Sequence, residues 1–234
     1  QMNRTSAAYC SQLSELSGYI LKNKSPSCGM ERVNLYNDSN MPEKKGDGLF
    51  ARQLKDLNPD LPVEEEGRLH DAHVRENFIE RVYAYKRWQM MMQQELTVKS
   101  LMDYHKRHKL MLLAHDEPVY RSLGKLVAST CKDNLDAKAA EYIRLFMLAM
   151  KKRPTRNKHV NVLQHIMGYL KKHIDRDDKH ELLNLFEKYA RGEVPLVVPI
   201  TLLKYHFRKN PQGYINDQFY MSPYPGNLML RNHV

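Results

Sequence analysis

Gly18-Tyr19-Ile20-Leu21-Lys22-Asn23-Lys24-Ser25-Pro26-Ser27-Cys28-Gly29 places a strand and a loop side by side. Residues 18 to 21 form a short apolar run that opens on glycine, which suits a buried strand, and Pro26 and Gly29 then stop regular structure at once. Cys28 is therefore predicted in a tight loop at a strand's end. In open parallel sheets that carboxyl edge is where ligands bind, and a loop cysteine flanked by Lys22 and Lys24 can hold thiolate character. A small cysteine that merely packs is the competing reading.

Outward from this stretch, residues 2 to 16 carry a weak helical pattern, with Cys10 as a packing residue on it. Arg32-Val33-Asn34-Leu35-Tyr36 alternates polar and apolar as a half-buried strand does, and residues 37 to 48 are polar and rich in turn formers. A helix over 48–57 closes at Asn58-Pro59. Strand, loop, strand and helix make α/β, Rossmann-like grammar. Leu61-Pro62-Val63 leads into Glu64-Glu65-Glu66-Gly67-Arg68, whose carboxylates read as solvated or paired with arginine rather than catalytic.

After Asp71, a plausible N-cap, the period changes to that of a helix, with Val74, Phe78, Val82, Tyr85 and Met92 as its stripe and Trp88 beside it. From Thr97 onward the pattern predicts helices over 97–114, 117–130, 136–152, 159–174, 179–190, 200–209 and 214–220. Asp116 caps the second, with Pro118 in its first turn, and an Asp178/Glu181 capping box opens the fifth, with Gly192 beyond it. The 159–174 segment, apolar at Val160, Leu163, Ile166, Met167, Leu170 and Ile174, is the expected spine of the helical core. Gly168 in its middle implies a close helix approach. The predicted fold is α+β: a partial α/β part over 1–70, a connecting helix over 71–96 and a larger all-α domain over 97–234.

Charge separates these parts. The chain carries a net +10; Lys and Arg number 13 against 14 Asp and Glu in residues 1–96, and 24 against 13 in residues 97–234, giving −1 and +11. That asymmetry suggests a polyanion partner for the basic part, with a solubilising surface as the alternative. Five cations, Lys151, Lys152, Arg153, Arg156 and Lys158, crowd the run 151–158, where Pro154 breaks helix and projects them from an exposed loop and its flanking helix ends. There they are placed to reach phosphates, and Lys171, Lys172, Lys204, Arg208 and Lys209 are candidates to extend the patch.

Three scattered cysteines, Cys10, Cys28 and Cys131, argue against a disulfide framework and for a reducing cytosol. The longest apolar run, 194–203, is interrupted by Pro195 and Pro199 and is too short to span a bilayer, and no signal peptide opens the chain. A cytoplasmic protein without a membrane role is expected. His105, His108 and His115 share a predicted helix face, but His115 lies roughly 15 Å along the axis from His105, too far to share one ion. Buried, hydrogen-bonded histidine or phosphate contact is preferred there over metal.

Long ordered motifs tie these parts to a known family. Lys22-Asn-Lys-Ser-Pro-Ser-Cys-Gly-Met-Glu-Arg-Val33, Leu61-Pro-Val-Glu-Glu-Glu-Gly-Arg-Leu69 and Arg75-Glu-Asn-Phe-Ile-Glu-Arg-Val82 resemble the later half of the iron–sulfur thiouracil desulfidase domain. His105-Lys-Arg-His-Lys-Leu-Met-Leu-Leu-Ala-His115, His159-Val-Asn-Val-Leu-Gln-His165 and Val194-Pro-Leu-Val-Val-Pro199 resemble the YbgA-like helical domain fused to it. The whole looks like the fusion-type desulfidases that remove sulfur from 4-thiouridine in tRNA.

This resemblance implies a 4Fe-4S cluster held by three cysteines, with one iron open to the substrate's sulfur as a Lewis acid and a carboxylate to activate water. Cys28 matches one cluster ligand, and Ser25 a position that looks catalytic in the family. The family's earlier half, with its other two cysteines and its acid/base glutamate, has no counterpart here, so the remaining ligands are expected upstream of Gln1. The implied partners are tRNA and its thiolated uracil base. A non-catalytic nucleic-acid-binding protein and a helical interaction domain are the alternatives from other classes.

Overall fold

The computed structural model describes residues 13, 15–31, 33–36 and 42–234. The helix expected over 2–16 and the packing role given to Cys10 lie outside the described residues, apart from the last positions of that helix. The chain divides into two compact units, Gln1–Gln89 and Met90–Val234.

In the first unit, strand β1 (Tyr19–Leu21) pairs in parallel with β4 (Val63–Glu65), Leu21 opposite Glu65. Between them in sequence come β2 (Val33–Tyr36), β3 (Pro42–Gly46) and helix α1 (Leu49–Leu57). The 37–48 stretch, expected as turn-rich loop, contains β3, which pairs antiparallel with β2. Its Pro-Glu-Lys-Lys-Gly sequence has little strand propensity, so pairing with β2 rather than local preference makes it a strand. Helix α1 buries Phe50, Ala51 and Leu54 against Leu21, Met30 and Leu61, with Cys28 packed on the edge of that core.

Helix α2 (Ala72–Met92) starts where Asp71 Oδ1 accepts from the His73 and Val74 N–H groups at 2.8 and 3.0 Å. Its buried side is corrected from the predicted stripe. Asn77, Phe78, Glu80, Arg81, Ala84 and Trp88 are inside, while Met92 is exposed. Periodicity missed this face because two of its members are charged and are buried against partners. Gly18 lets α2 approach β1: a Cβ there would lie 2.5 Å from Val82 Cγ2.

The second unit is helical: α3 (Val98–His115), α4 (Glu117–Ala128), α5 (Leu135–Lys151), α6 (Arg156–Gly168), α7 (Arg176–Arg191), α8 (Val197–Lys209) and the short α9 (Gly213–Asn216). Local signals place most starts. Thr97 and Ser100 form a capping box, Asp116 accepts from Val119 N–H, and Gly192 closes α7 in the left-handed region at φ 78°. Three expectations change. The cap of α7 is Asp175, not Asp178; α9 covers less than the predicted 214–220; and α6 starts earlier and ends at Gly168 instead of running through it. Nothing lies within 4 Å of a Cβ built on Gly168, so it marks a helix end and not a close approach.

Helix α6 buries Val162, Leu163 and Ile166 in a core shared with Leu182, Phe186, Ile200, Leu203 and Phe207. It shares the centre with α3, which packs on α4, α5 and α6. The segment after α9 is tied back to α3: Gln218 Nε2 donates to the Lys106 carbonyl at 2.8 Å, and Phe219 N–H donates to that of Arg107 at 3.0 Å. Among the described residues no helix is long and apolar enough to cross a membrane.

Candidate functional site

The loop between β1 and β2 is folded on itself by its serines. Ser25 Oγ accepts the Cys28 N–H at 3.1 Å, and the Ser25 carbonyl accepts the Gly29 N–H at 2.8 Å. Ser25 Oγ lies 3.1 Å from Ser27 Oγ, which in turn is 3.3 Å from Cys28 Sγ. Ser25 and Cys28, both named from sequence, are thus brought together, and Ser27 links them. Lys24 takes the left-handed conformation at φ 58°, which turns the chain into the loop.

Helix α1 then clamps this loop. Its N-cap is Gly48, which has no side chain to accept from the orphan amides of the first turn. Loop carbonyls take their place: Leu49 N–H donates to Pro26, and Phe50 and Ala51 N–H donate to Ser27, at 3.3, 2.9 and 3.2 Å. Gly48 N–H donates to the Gly29 carbonyl at 2.8 Å. The contact is so close that a Cβ on Gly48 would sit 2.3 Å from the Ser27 carbonyl oxygen.

A carboxylate from β4 holds the other end of the loop. Glu65, buried, accepts the Met30 N–H at 3.0 Å, while Lys55 Nζ donates to the Met30 carbonyl at 3.3 Å and pairs with Asp47 at 2.6 Å. Glu64, also buried, accepts the Glu65 N–H and pairs with Arg68 and Arg81 at 3.2 and 3.6 Å. Burial pulls the Arg81 guanidinium below its ordinary value, an effect that Glu64 opposes. The expected pairing of the glutamates with arginine is therefore seen for Glu64. Glu65 is corrected: it is a buried acceptor for the loop's main chain. Sequence reading missed it because three adjacent glutamates look alike until the strand pairing decides which face each occupies. Gly48 left a faint signal, a glycine where an N-cap side chain is usual.

Because β1 and β4 run parallel, the Cys28 loop and Glu65 emerge at the same carboxyl edge. A half-buried thiol beside the Ser27 hydroxyl at such an edge suits a nucleophile or a metal ligand. Cys28 and Cys131 are free, and Cys131 is exposed in the second unit. Among the described residues no three of His, Cys, Asp and Glu gather with the spacing of a metal site. The described residues thus offer one cysteine toward a cluster and do not by themselves fit one.

The histidines are packing residues with hydrogen bonds. His105 Nδ1 lies 3.2 Å from Tyr142 Oη; His108 Nδ1 donates to the Tyr104 carbonyl at 2.7 Å and its ring stacks on that of Tyr104; His115 Nδ1 donates to the Lys152 carbonyl at 2.6 Å. Burial, with nearby Lys109, pushes the His105 pKa down to about 4, so the ring is neutral.

Of the basic run, Lys151 ends α5, Lys152 and Arg153 lie between helices, and Arg156 and Lys158 stand in the first turn of α6. Lys151, Lys152, Arg153 and Arg156 are exposed and Lys158 is half-buried, and two of the five are also engaged within the fold. Lys152 pairs with buried Asp116 at 2.5 Å, and Lys158 Nζ donates to the His115 carbonyl at 2.8 Å. A buried carboxylate demands a cation, and the C-terminal carbonyls of α3 attract another. The Arg156 guanidinium lies over Gly192, and Arg153 is exposed.

Comparison with known proteins follows this division. Residues 1–66 match the family model described as 2-thiouracil desulfurase, which supports a sulfur-removing role. Residues 109–225 match the model described as protein of unknown function DUF1722. The chain is 33% identical over 153 residues to the uncharacterized protein YbgA of Escherichia coli (strain K12), covering 65% of this chain and 90% of that protein. No solved structure matches. The chain belongs to the DUF1722 family, with a segment similar to 2-thiouracil desulfurase ahead of that domain.

Proposed function

We propose that this protein is a tRNA-modifying desulfidase that removes sulfur from 4-thiouridine, the first unit carrying the chemistry and the basic helical unit docking the tRNA. The reaction is hydrolytic: the C=S carbon of the base gains oxygen from water and sulfide leaves, with no net change of oxidation state. The observation that carries the reading is the Cys28 loop, clamped by α1 and Glu65 within the segment similar to 2-thiouracil desulfurase.

In this reading Cys28 is one ligand of a 4Fe-4S cluster whose other ligands come from outside the described residues. Ser25 positions substrate or water, its hydroxyl being fixed by the Cys28 N–H and Ser27. Glu65 and Gly48 hold the loop's shape without touching the substrate. Lys151, Lys152, Arg153, Arg156 and Lys158 lie along the proposed tRNA surface, their charge supplying affinity and salt dependence.

The deciding experiment is iron and acid-labile sulfide in anaerobically purified protein, with turnover on thiolated tRNA, for the parent and Cys28→Ser. Iron, sulfide and turnover lost together in the variant support the reading. Parent protein without iron, or a variant with unchanged iron and rate, makes Cys28 a packing residue and favours a non-catalytic nucleic-acid-binding protein.

A further inference from the structure

Helix α8 and the segment after it line an open cavity of ≈ 490 Å³ in the second unit. Lys204 and Arg208, one turn apart on α8, are exposed among its lining residues, as are Asn216 and Ser222; Phe207, Ile215 and Met221, all buried, make its apolar floor. No carboxylate is among its lining residues. Lys204 Nζ donates to Ser222 Oγ at 2.9 Å, so the ammonium is held by a neutral partner, and no carboxylate among the described residues pairs with it. Burial, and the buried Arg231 nearby, pull the Lys204 pKa below its ordinary value.

We infer that this cavity takes one nucleotide of an RNA chain, its phosphate between Lys204 and Arg208 and its base over the apolar floor. Two cations one turn apart without an acid select an anion, and the arginine fork suits phosphate. The volume exceeds what a bare phosphate fills and lies in the range of sites that bury small organic ligands. Asn216 and Ser222 supply the donors and acceptors that the polar edge of a base or ribose needs. This inference rests on the proposed RNA docking and adds a defined subsite to it.

The test is equilibrium binding of 5′-UMP, uridine, inorganic phosphate and a short oligouridylate to the full chain and to Lys204→Met, Arg208→Gln and Asn216→Asp. All three positions are exposed, and circular dichroism checks their folding. Saturable 5′-UMP binding is expected, weaker by roughly tenfold or more in each charge variant, as loss of one charged hydrogen bond dictates. Uridine and phosphate alone should bind at least about tenfold more weakly than 5′-UMP, and the oligouridylate at least as tightly as the mononucleotide. Absent saturation, or equal affinity in parent and variants, overturns the site. Phosphate as tight as 5′-UMP reduces it to an anion site, and 5′-UMP bound without the oligouridylate removes RNA as the source. If tRNA binding persists without 5′-UMP binding, the subsite fails and the docking proposal stands; 5′-UMP binding without tRNA binding leaves the subsite and overturns the docking, and 5′-UMP binding without desulfidation leaves the subsite and counts against the catalytic reading.

Discussion

The main-chain N–H of Met30 donates to Oε1 of Glu65 across 3.0 Å, in a buried bond that joins the Cys28 loop to the end of the parallel strand pair. Glu65→Ala leaves that N–H without its acceptor, at a cost of about 1–3 kcal/mol, whereas Glu65→Gln keeps an oxygen in place. Denaturant unfolding should show a clear loss for Ala and a smaller one for Gln, with cluster retention falling in the same order. Equal stability of parent and alanine variant would mean that the bond does not hold the loop.

Two glycine substitutions should move stability in opposite directions. Gly48→Ala drives a methyl to within 2.3 Å of the Ser27 carbonyl oxygen, with backbone on both sides of the contact, and should cost about 1–3 kcal/mol. Gly168→Ala meets nothing within 4 Å and should stabilise by roughly 0.5–1 kcal/mol through reduced chain entropy. Thermal melts of both variants check the pair.

Ser25→Ala removes the acceptor for the Cys28 N–H and the contact to Ser27 but no thiolate. Turnover should fall while iron is retained. Iron lost with turnover would assign Ser25 to holding the loop rather than to the reaction.

The neutral, buried His105 makes the second unit sensitive to acid. Its pKa is about 4 when folded against an ordinary value of about 6.5, so the unfolded chain binds the extra proton first. The stabilisation is present above pH 6.5 and is lost as pH falls toward 4. It amounts to about 2 kcal/mol between pH 7 and pH 5. Urea titrations at the two pH values, repeated on His105→Asn, should show that part of the pH dependence vanish in the variant.

Arg153 gives the cleanest test of the basic run, because Lys152 also neutralises Asp116 and Lys158 also caps α3. Arg153→Ala should leave the melting temperature unchanged and lower the slope of log affinity for tRNA against log salt by roughly 0.7–0.9, one phosphate contact. An unchanged slope would place docking elsewhere. Lys152→Ala should lower both affinity and stability.

Much of this protein is local chemistry and could be read along the chain. A glycine-bounded apolar run followed by Pro26 and Gly29 makes a strand end in a loop; Thr97, Asp116 and Gly192 make helices start or stop; and the motifs around Cys28 and His105 point to a family. These features depend on neighbours within a turn or two, where steric and hydrogen-bonding preferences act directly. What only the tertiary structure decided depends on partners distant in sequence. The 42–46 strand exists through pairing with 33–36, and Arg81 is inside because Glu64 meets it there. Glu65 differs from its neighbouring glutamates because the parallel register sets it opposite Leu21, within reach of Met30. Charge in the 151–158 run was visible in sequence, but its division between Asp116, the end of α3 and solvent was not, since a side chain's partner is fixed by which backbone comes near it.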